Sequence, residues 1–325
     1  MLLGASGVVV YYYHSYQKIL NLLAEEAIFN SRSAFDYVYK SDIRGLSSVI
    51  RVLTENKEYK DLFAKGQREE LFHAAEPLYK DLNRIFGITQ FNFIFPENIS
   101  EDKANKVFLR VQNINKFGDV LTRVVYTEAV QKKNTVSGIE IGKTGFSLRV
   151  ISPYYADERL IGYMELGEEI EHFFAIMREQ TNAEYGVLIA KKYLNREDWN
   201  TMRSVKGLRN NWSDYEDVVP VYFTSPVETI FSFSQPFESV PDHGRLLGKM
   251  SVNNRTFVRG IFPLYDAVNT KVGGIVVSRD ITPFYRVILR LRNSTIFFTI
   301  GAFFTLGLCL MVIVHKFLKA LAEEK

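Results

Sequence analysis

The sequence predicts an α+β protein: a long N-terminal helix, two tandem copies of a small module built on an antiparallel sheet, and a C-terminal transmembrane helix. Three observations predict it. Apolar residues recur at spacings of three and four from His14 to about Phe86, after which the period changes to two. One hairpin-like pattern occurs twice, its two arginines 110 residues apart. Residues 293–314 (NSTIFFTIGAFFTLGLCLMVIV) carry no charge.

At 325 residues the chain has room for two modest domains with helical connectors. Apolar residues make up 47% and charged residues 24%, the balance of a folded globular chain. The 40 basic residues are interspersed with 37 acidic ones, a net charge of +3. That spread excludes the basic stripe of a nucleic-acid binder. The single cysteine, Cys309, sits inside the apolar run, so no disulfide, CxxC pair or zinc cluster is built from it. His14, His73, His172, His243 and His315 are scattered without metal-ligand spacing, and neither a metal nor a cofactor is expected.

Residues 1–13 (MLLGASGVVVYYY) are apolar but reach only about 20 Å as a helix. With three tyrosines like an interfacial belt, they read as the outer part of a first transmembrane helix whose beginning is missing. Residues 14–87 then form a helical stalk. Ile43, Leu46, Val49, Ile50 and Leu53 keep helical spacing, as do Leu71, Ala75, Leu78, Leu82 and Ile85, with breaks expected near Ser41-Asp42 and Gly66.

From Gly87 the chain alternates. Thr89–Phe95, with Phe91, Phe93 and Phe95 on one side, reads as a half-buried strand stopped by Pro96. Val107–Val111 is a short strand, and Gly118–Lys132 returns to helical spacing through Leu121, Val124 and Val125. Val136–Ile141, Gly145–Tyr155 and Leu160–Gly167 are strands, the last two a hairpin across Ala156-Asp157-Glu158. Glu171–Arg178 is helical and marks a boundary, giving modules at 88–182 and 183–285. In the second, Glu184–Lys191 reads as a strand, Asn195–Val205 as a helix and Pro220–Pro241 as loop-rich.

The hairpin recurs at 256–265. Arg149 and Pro153 keep the four-residue separation of Arg259 and Pro263, and Tyr155 corresponds to Tyr265. Each copy runs through a turn into a glycine-bearing strand (Ile161-Gly162-Tyr163-Met164, Val272-Gly273-Gly274-Ile275) and ends in acid-hydrophobe, Glu169-Ile170 and Asp280-Ile281. Duplication of one α/β unit explains this; chance similarity of two hairpins is the alternative.

Residues 286–325 hold the span and the start of a cytoplasmic signalling helix. At 1.5 Å per residue, residues 293–314 reach roughly 30 Å, the thickness of a bilayer core. Arg286, Arg290 and Arg292 stop the run on one side, and His315, Lys316 and Lys319 on the other. Long translocated domains escape the positive-inside rule, so these charges leave orientation open.

Two modules behind a long helix, bracketed by membrane segments, resemble the double Cache (PAS-like) sensors of bacterial sensor histidine kinases, chemoreceptors and diguanylate cyclases. The residues that carry the resemblance are Phe108-Leu109-Arg110, Phe117-Gly118-Asp119-Val120-Leu121 with Arg123, Val136 through Gly142, Gly145, Arg149 to Pro153, and Ile161 through Gly167. In the first strand this chain has Phe93-Ile94-Phe95 where relatives often carry a histidine. The resemblance implies a periplasmic sensor in the bacterial inner membrane, with a small ligand in the membrane-distal module. A homodimer and a cytoplasmic signalling domain or partner are expected to relay the signal, and KFLKALAEEK at 316–325 looks like the opening of a signalling helix.

Within the first module, Arg110, Arg123 and Arg149 would offer guanidinium forks to a carboxylate or phosphate, with Asp119, Glu140 and Glu165 as counter-charges. The alternative is that these six pair with one another structurally. Tyr154 would line an apolar wall with a polar tip, or pack in the core. G-x-S-x-G, P-loop, H-E-x-x-H and Rossmann fingerprints are absent, so no catalytic residue is expected. The expected function is ligand sensing with transmission across the membrane; the rival is a membrane-tethered assembly protein with no signalling output.

Overall fold

The computed structural model describes residues 2–98, 100, 103–142 and 145–323, without the side chains of 2–12, 317 and 320–323. Helix α1 (Leu2–Leu53) is unbroken. Of the expected first membrane segment, Met1 and the side chains up to residue 12 lie outside the described residues. The break expected at Ser41-Asp42 is absent. Serine and aspartate cost a helix only about 0.5 kcal/mol each, while Phe35, Val38, Leu46, Ile50 and Leu53 are all buried on one face and hold the helix through them. The interruption comes at residues 54–56, where the Asn56 side chain accepts from the Tyr59 amide at 3.0 Å and caps α2 (Lys57–Ala64). The second break falls at Gly66 as expected, and α3 (Arg68–Phe86) ends in left-handed Gly87.

The first sheet contains β1 (Ile88–Ile94), β2 (Val107–Arg110), β3 (Val136–Ile141), β4 (Phe146–Ala156) and β5 (Arg159–Glu169) in the antiparallel order β2-β1-β5-β4-β3. The expected helix at 118–132 is shorter: α4 is Val124–Lys132. Gly118 adopts φ +83°, and the backbone of 118–121 bonds back to residues 105–107, which holds that stretch in an extended path. Helix α5 (Glu171–Thr181) leads to β6 (Ala183–Ala190), α6 (Arg196–Val205), β7 (Val218–Phe223), β8 (Arg245–Val252), β9 (Arg255–Tyr265) and β10 (Lys271–Asp280). Their order, β7-β6-β10-β9-β8, repeats that of the first sheet strand for strand. Strand β7 runs into the start of the stretch expected to be loop-rich, and edge strand β8 carries no apolar alternation strong enough to announce it.

The repeated glycines have one physical cause. A Cβ on Gly162 would lie 2.4 Å from the Ile94 carbonyl oxygen, and one on Gly273 would lie 2.2 Å from that of Leu188. Both sites press the fifth strand of a sheet onto the first.

Each face of the first sheet is covered. Phe91, Phe93, Leu148, Val150, Tyr154, Met164 and Leu166 pack with Phe35, Val38, Ile50, Phe63 and Leu71 of the helical stalk. On the other face, Ile94, Val107, Ile151 and Tyr163 pack with Leu121, Val125, Tyr126 and Ala129 beneath α4. The modules also touch directly: the Ala267 amide, in the β9–β10 turn, donates to the Ile139 carbonyl at 3.0 Å.

Helix α7 (Thr282–Glu323) follows β10. Its stretch Thr282–Lys316 is long and apolar enough to cross a membrane, and the apolar window within it, of mean hydropathy 2.5, is entirely unburied. Near its start, Ile281 and Tyr285 meet Tyr16, Leu20 and Ala24 of α1 beside Val258 of β9.

Candidate ligand site

Antiparallel pairing puts directly opposed residues on the same face. One row across the first sheet therefore reads Arg110, Asn92, Glu165, Ile151, Val136, on the α4 side. The next row reads Gln90, Gly167, Arg149, Gly138. Gly138 in that row lets Ala267 of the β9–β10 turn close onto the sheet, since a Cβ there would lie 2.3 Å from the Ala267 Cβ.

Glu165 is fully buried and is the hub. Its Oε1 accepts from Arg123 Nη1 and from Arg149 Nη1, each at 2.6 Å, and its Oε2 accepts from Asn92 Nδ2 at 2.7 Å. Burial works against its charge, but the two guanidiniums and the amide outweigh it and lower its pKa. Asn92 in turn accepts from Gln112 Nε2 at 2.8 Å, and Gln112 accepts from the Phe91 amide at 3.0 Å. Arg149 also donates to Gln90 Oε1 and forms a 3.1 Å ion pair with Glu140 through Nε.

Glu140 has a second task. Arg123 is the N-cap residue of α4 and supplies no side-chain cap, so Glu140 Oε1, from β3, accepts the Val125 amide at 2.7 Å. Burial raises its pKa in spite of that bond and of Arg149. Helix α4 is thus fixed to the sheet through the same charges that surround Glu165.

Arg110 and Asp119 stand at the rim as a bidentate pair, 2.6 and 2.8 Å, with the Lys116 carbonyl accepting from Arg110 at 2.9 Å. The hydrogen bond from Arg110 holds the Asp119 carboxyl below the ordinary range. Tyr154 is not among these residues. Its even position on β4 turns it to the stalk face, with ring centroids 5.7 Å from Phe63 and 6.1 Å from Phe93, and its buried hydroxyl has no hydrogen-bond partner among the described residues.

Of the residues singled out from the sequence, Arg123, Glu140, Arg149 and Glu165 converge, Arg110 and Asp119 flank them, and Tyr154 lies on the opposite face. Gln90, Asn92 and Gln112 were missed. Gln90 and Asn92 were the polar half of the alternation around Phe91 and Phe93, which reads as a solvated face until α4 and its loop cover it, and Gln112, in the turn after β2, carried no signal.

A fold of two sheets of one topology, with a buried polar row under a capping helix, defines a tandem sensory module. Residues 40–285 match the family model described as the double sensory domain of two-component sensor kinases, and the chain belongs to that family. The double Cache resemblance read from the sequence is thereby shown. No curated protein matches the chain. Among solved structures, it is similar to the ligand-binding domain of the Campylobacter jejuni chemoreceptor Tlp3 in complex with L-valine (12% identity, 84% of this chain and 95% of that one, TM-score 0.42). It is also similar to the periplasmic domain of Vibrio cholerae LuxQ (12%, 78% and 97%, 0.42) and the sensor domain of the V. cholerae histidine kinase DctB (10%, 82% and 98%, 0.43).

Proposed function

We propose that this chain is the extracytoplasmic sensor of a bacterial transmembrane receptor, that residues 88–182 form its ligand-binding module, and that the ligand is a small organic acid or other anion held between the first sheet and α4. The observation that carries this reading is the convergence of Arg123 and Arg149 on a single oxygen of buried Glu165. An incoming carboxylate finds the same donors already oriented, and Arg123, whose side chain is 28% exposed, is the one nearest solvent. Taking those donors would loosen α4, because Arg149 also pairs with the carboxylate that caps it.

Two links lead from this site to the membrane. The β9–β10 turn bonds to β3, and β10 runs into α7 through Thr282, whose amide donates to Asp280 Oδ1 at 2.8 Å and whose hydroxyl accepts the Thr256 amide at 2.8 Å. A shift of the first sheet would therefore be passed to the start of the span as a small displacement or rotation.

The test is a thermal-shift screen of the full chain in detergent micelles against organic acids, amines and anions. Stabilisation by an acid that Arg123→Ala abolishes and Arg149→Lys weakens supports the site. Binding retained in Arg123→Ala, Arg149→Lys and Arg110→Ala removes it.

A further inference from the structure

A second cluster lies outside the polar row, where the stalk crosses the end of the first sheet. Asp42 from α1, Glu168 from β5 and His172 from the first turn of α5 each bring one donor atom to within 4.8 Å of the others. His172 Nε2 is 2.8 Å from Asp42 Oδ2, and its Nδ1 is 2.8 Å from the Glu169 carbonyl oxygen. A carbonyl only accepts, so Nδ1 carries a proton and Nε2 is the nitrogen that faces the carboxylates. Ligating imidazoles are oriented in this way, one nitrogen donating to a backbone carbonyl while the other holds the ion.

Glu168 is 4% exposed, and its Oε1 has no hydrogen-bond partner among the described residues. A buried carboxylate oxygen without a donor is unfavourable unless a cation or a proton compensates it.

We propose that Asp42, Glu168 and His172 bind one divalent first-row transition-metal ion of the zinc class. One imidazole nitrogen and two carboxylate oxygens make a three-ligand set for zinc, with bonds of about 2.0–2.2 Å and a fourth position left to water. The imidazole sets the site apart from magnesium and calcium sites, which are built of oxygen. The Asp42 and His172 side chains are 24% and 41% exposed, which opens a path for the ion from solvent. The three ligands come from the stalk, the central strand of the first sheet and the helix joining the modules. A bound ion thus clamps the stalk to the connector. Residue spacing hides the site, because Glu168 and His172, four residues apart, lie on a strand and the helix after it, and Asp42 comes from the distant stalk.

The experiment strips the full chain in micelles with a chelator, then titrates it with Co2+ and Zn2+. We expect one Co2+ per chain with visible absorption bands, displacement by Zn2+, and a higher melting temperature with Zn2+. Glu168→Gln and His172→Ala should abolish the bands and weaken Zn2+ binding at least about a hundredfold, since even losing a partner behind a ligand costs about ten- to a hundredfold. His172→Ala removes a half-exposed ligand without opening the core, and circular dichroism of both metal-free variants verifies folding. The exposed His243→Ala control, and Arg123→Ala from the polar row, should bind metal as the unmodified chain does. Absence of a one-to-one complex, or binding unchanged in both Glu168→Gln and His172→Ala, overturns the proposal.

Discussion

Glu165 shows how much a single side chain can organise. Removing one partner of a buried ion pair leaves the other charge uncompensated, which costs about 3–5 kcal/mol. Glu165→Gln leaves Arg123 without its carboxylate and Arg149 with Glu140 alone, so we expect a destabilisation in that range by thermal or denaturant melts of the chain in micelles. Its pH signature follows from the lowered pKa. A carboxyl depressed in the folded state contributes stability that is present above its unfolded value of about 4.3 and lost as pH falls toward the folded value. Below that point the difference between the native chain and Glu165→Gln should shrink; a constant difference down to the acid limit would contradict the ion network. Tyr154 gives the opposite case. Its buried hydroxyl has no partner among the described residues, so Tyr154→Phe should be neutral or stabilising by up to about 1 kcal/mol. Its response to any stabilising acid should be unchanged, and a lost response would bring Tyr154 back into the ligand site. The charged members of the site were legible because arginine and glutamate inside strands stand out. Gln90 and Asn92 were not, since a polar residue alternating with phenylalanine looks solvated unless the covering element is known, and Gln112 sits in a turn, where a polar residue is ordinary.

At the scale of elements, the hairpin pair β4–β5 and β9–β10 was legible because long strands repeat both their chemistry and their register. The paired glycines meet the same steric need in both sheets. At Gly162 and Gly273 a neighbouring carbonyl occupies the space of a Cβ, and the Phe63 and Phe146 rings, within 2.8 Å of the same points, close the other side. Overpacking of this kind costs typically about 1–3 kcal/mol. Gly162→Ala and Gly273→Ala should each lower the melting temperature accordingly, whereas Gly301→Ala, with nothing within 4 Å, should leave the soluble modules unaffected. Equal melting behaviour of all three would deny the close approach. Edge strand β8 was not legible, because its side chains are mostly half-buried or exposed and leave no apolar alternation. The false break at Ser41-Asp42 has a related cause. Local preference there is weak, and the decision belongs to the buried face of α1 and to the contact of Asp42 with His172, neither of which a window of sequence contains.

For the whole molecule, the expected homodimer would meet, we propose, through the stalk's outer surface. Helix α1 spends one face on both sheets, yet Leu22, Phe29 and Tyr37 are exposed on another, Phe29 by 70%, at separations of seven and eight residues. Such spacing makes one stripe along a helix, the geometry that pairs helices in parallel. A second copy is the partner that a homodimeric receptor would supply, with each α1 covering the other's stripe and each α7 brought alongside its mate. A charge at the centre of that stripe should break the pairing while costing the isolated fold little, because exposed substitutions usually change stability by less than about 0.5 kcal/mol. Phe29→Asp is therefore expected to convert a dimer to monomers in light scattering of the full chain in micelles, with its melting temperature at low concentration nearly unchanged. If Phe29→Asp stays dimeric, or if the native chain is monomeric at every concentration, the stripe is not the dimer seam, and signal transfer through paired stalks fails with it.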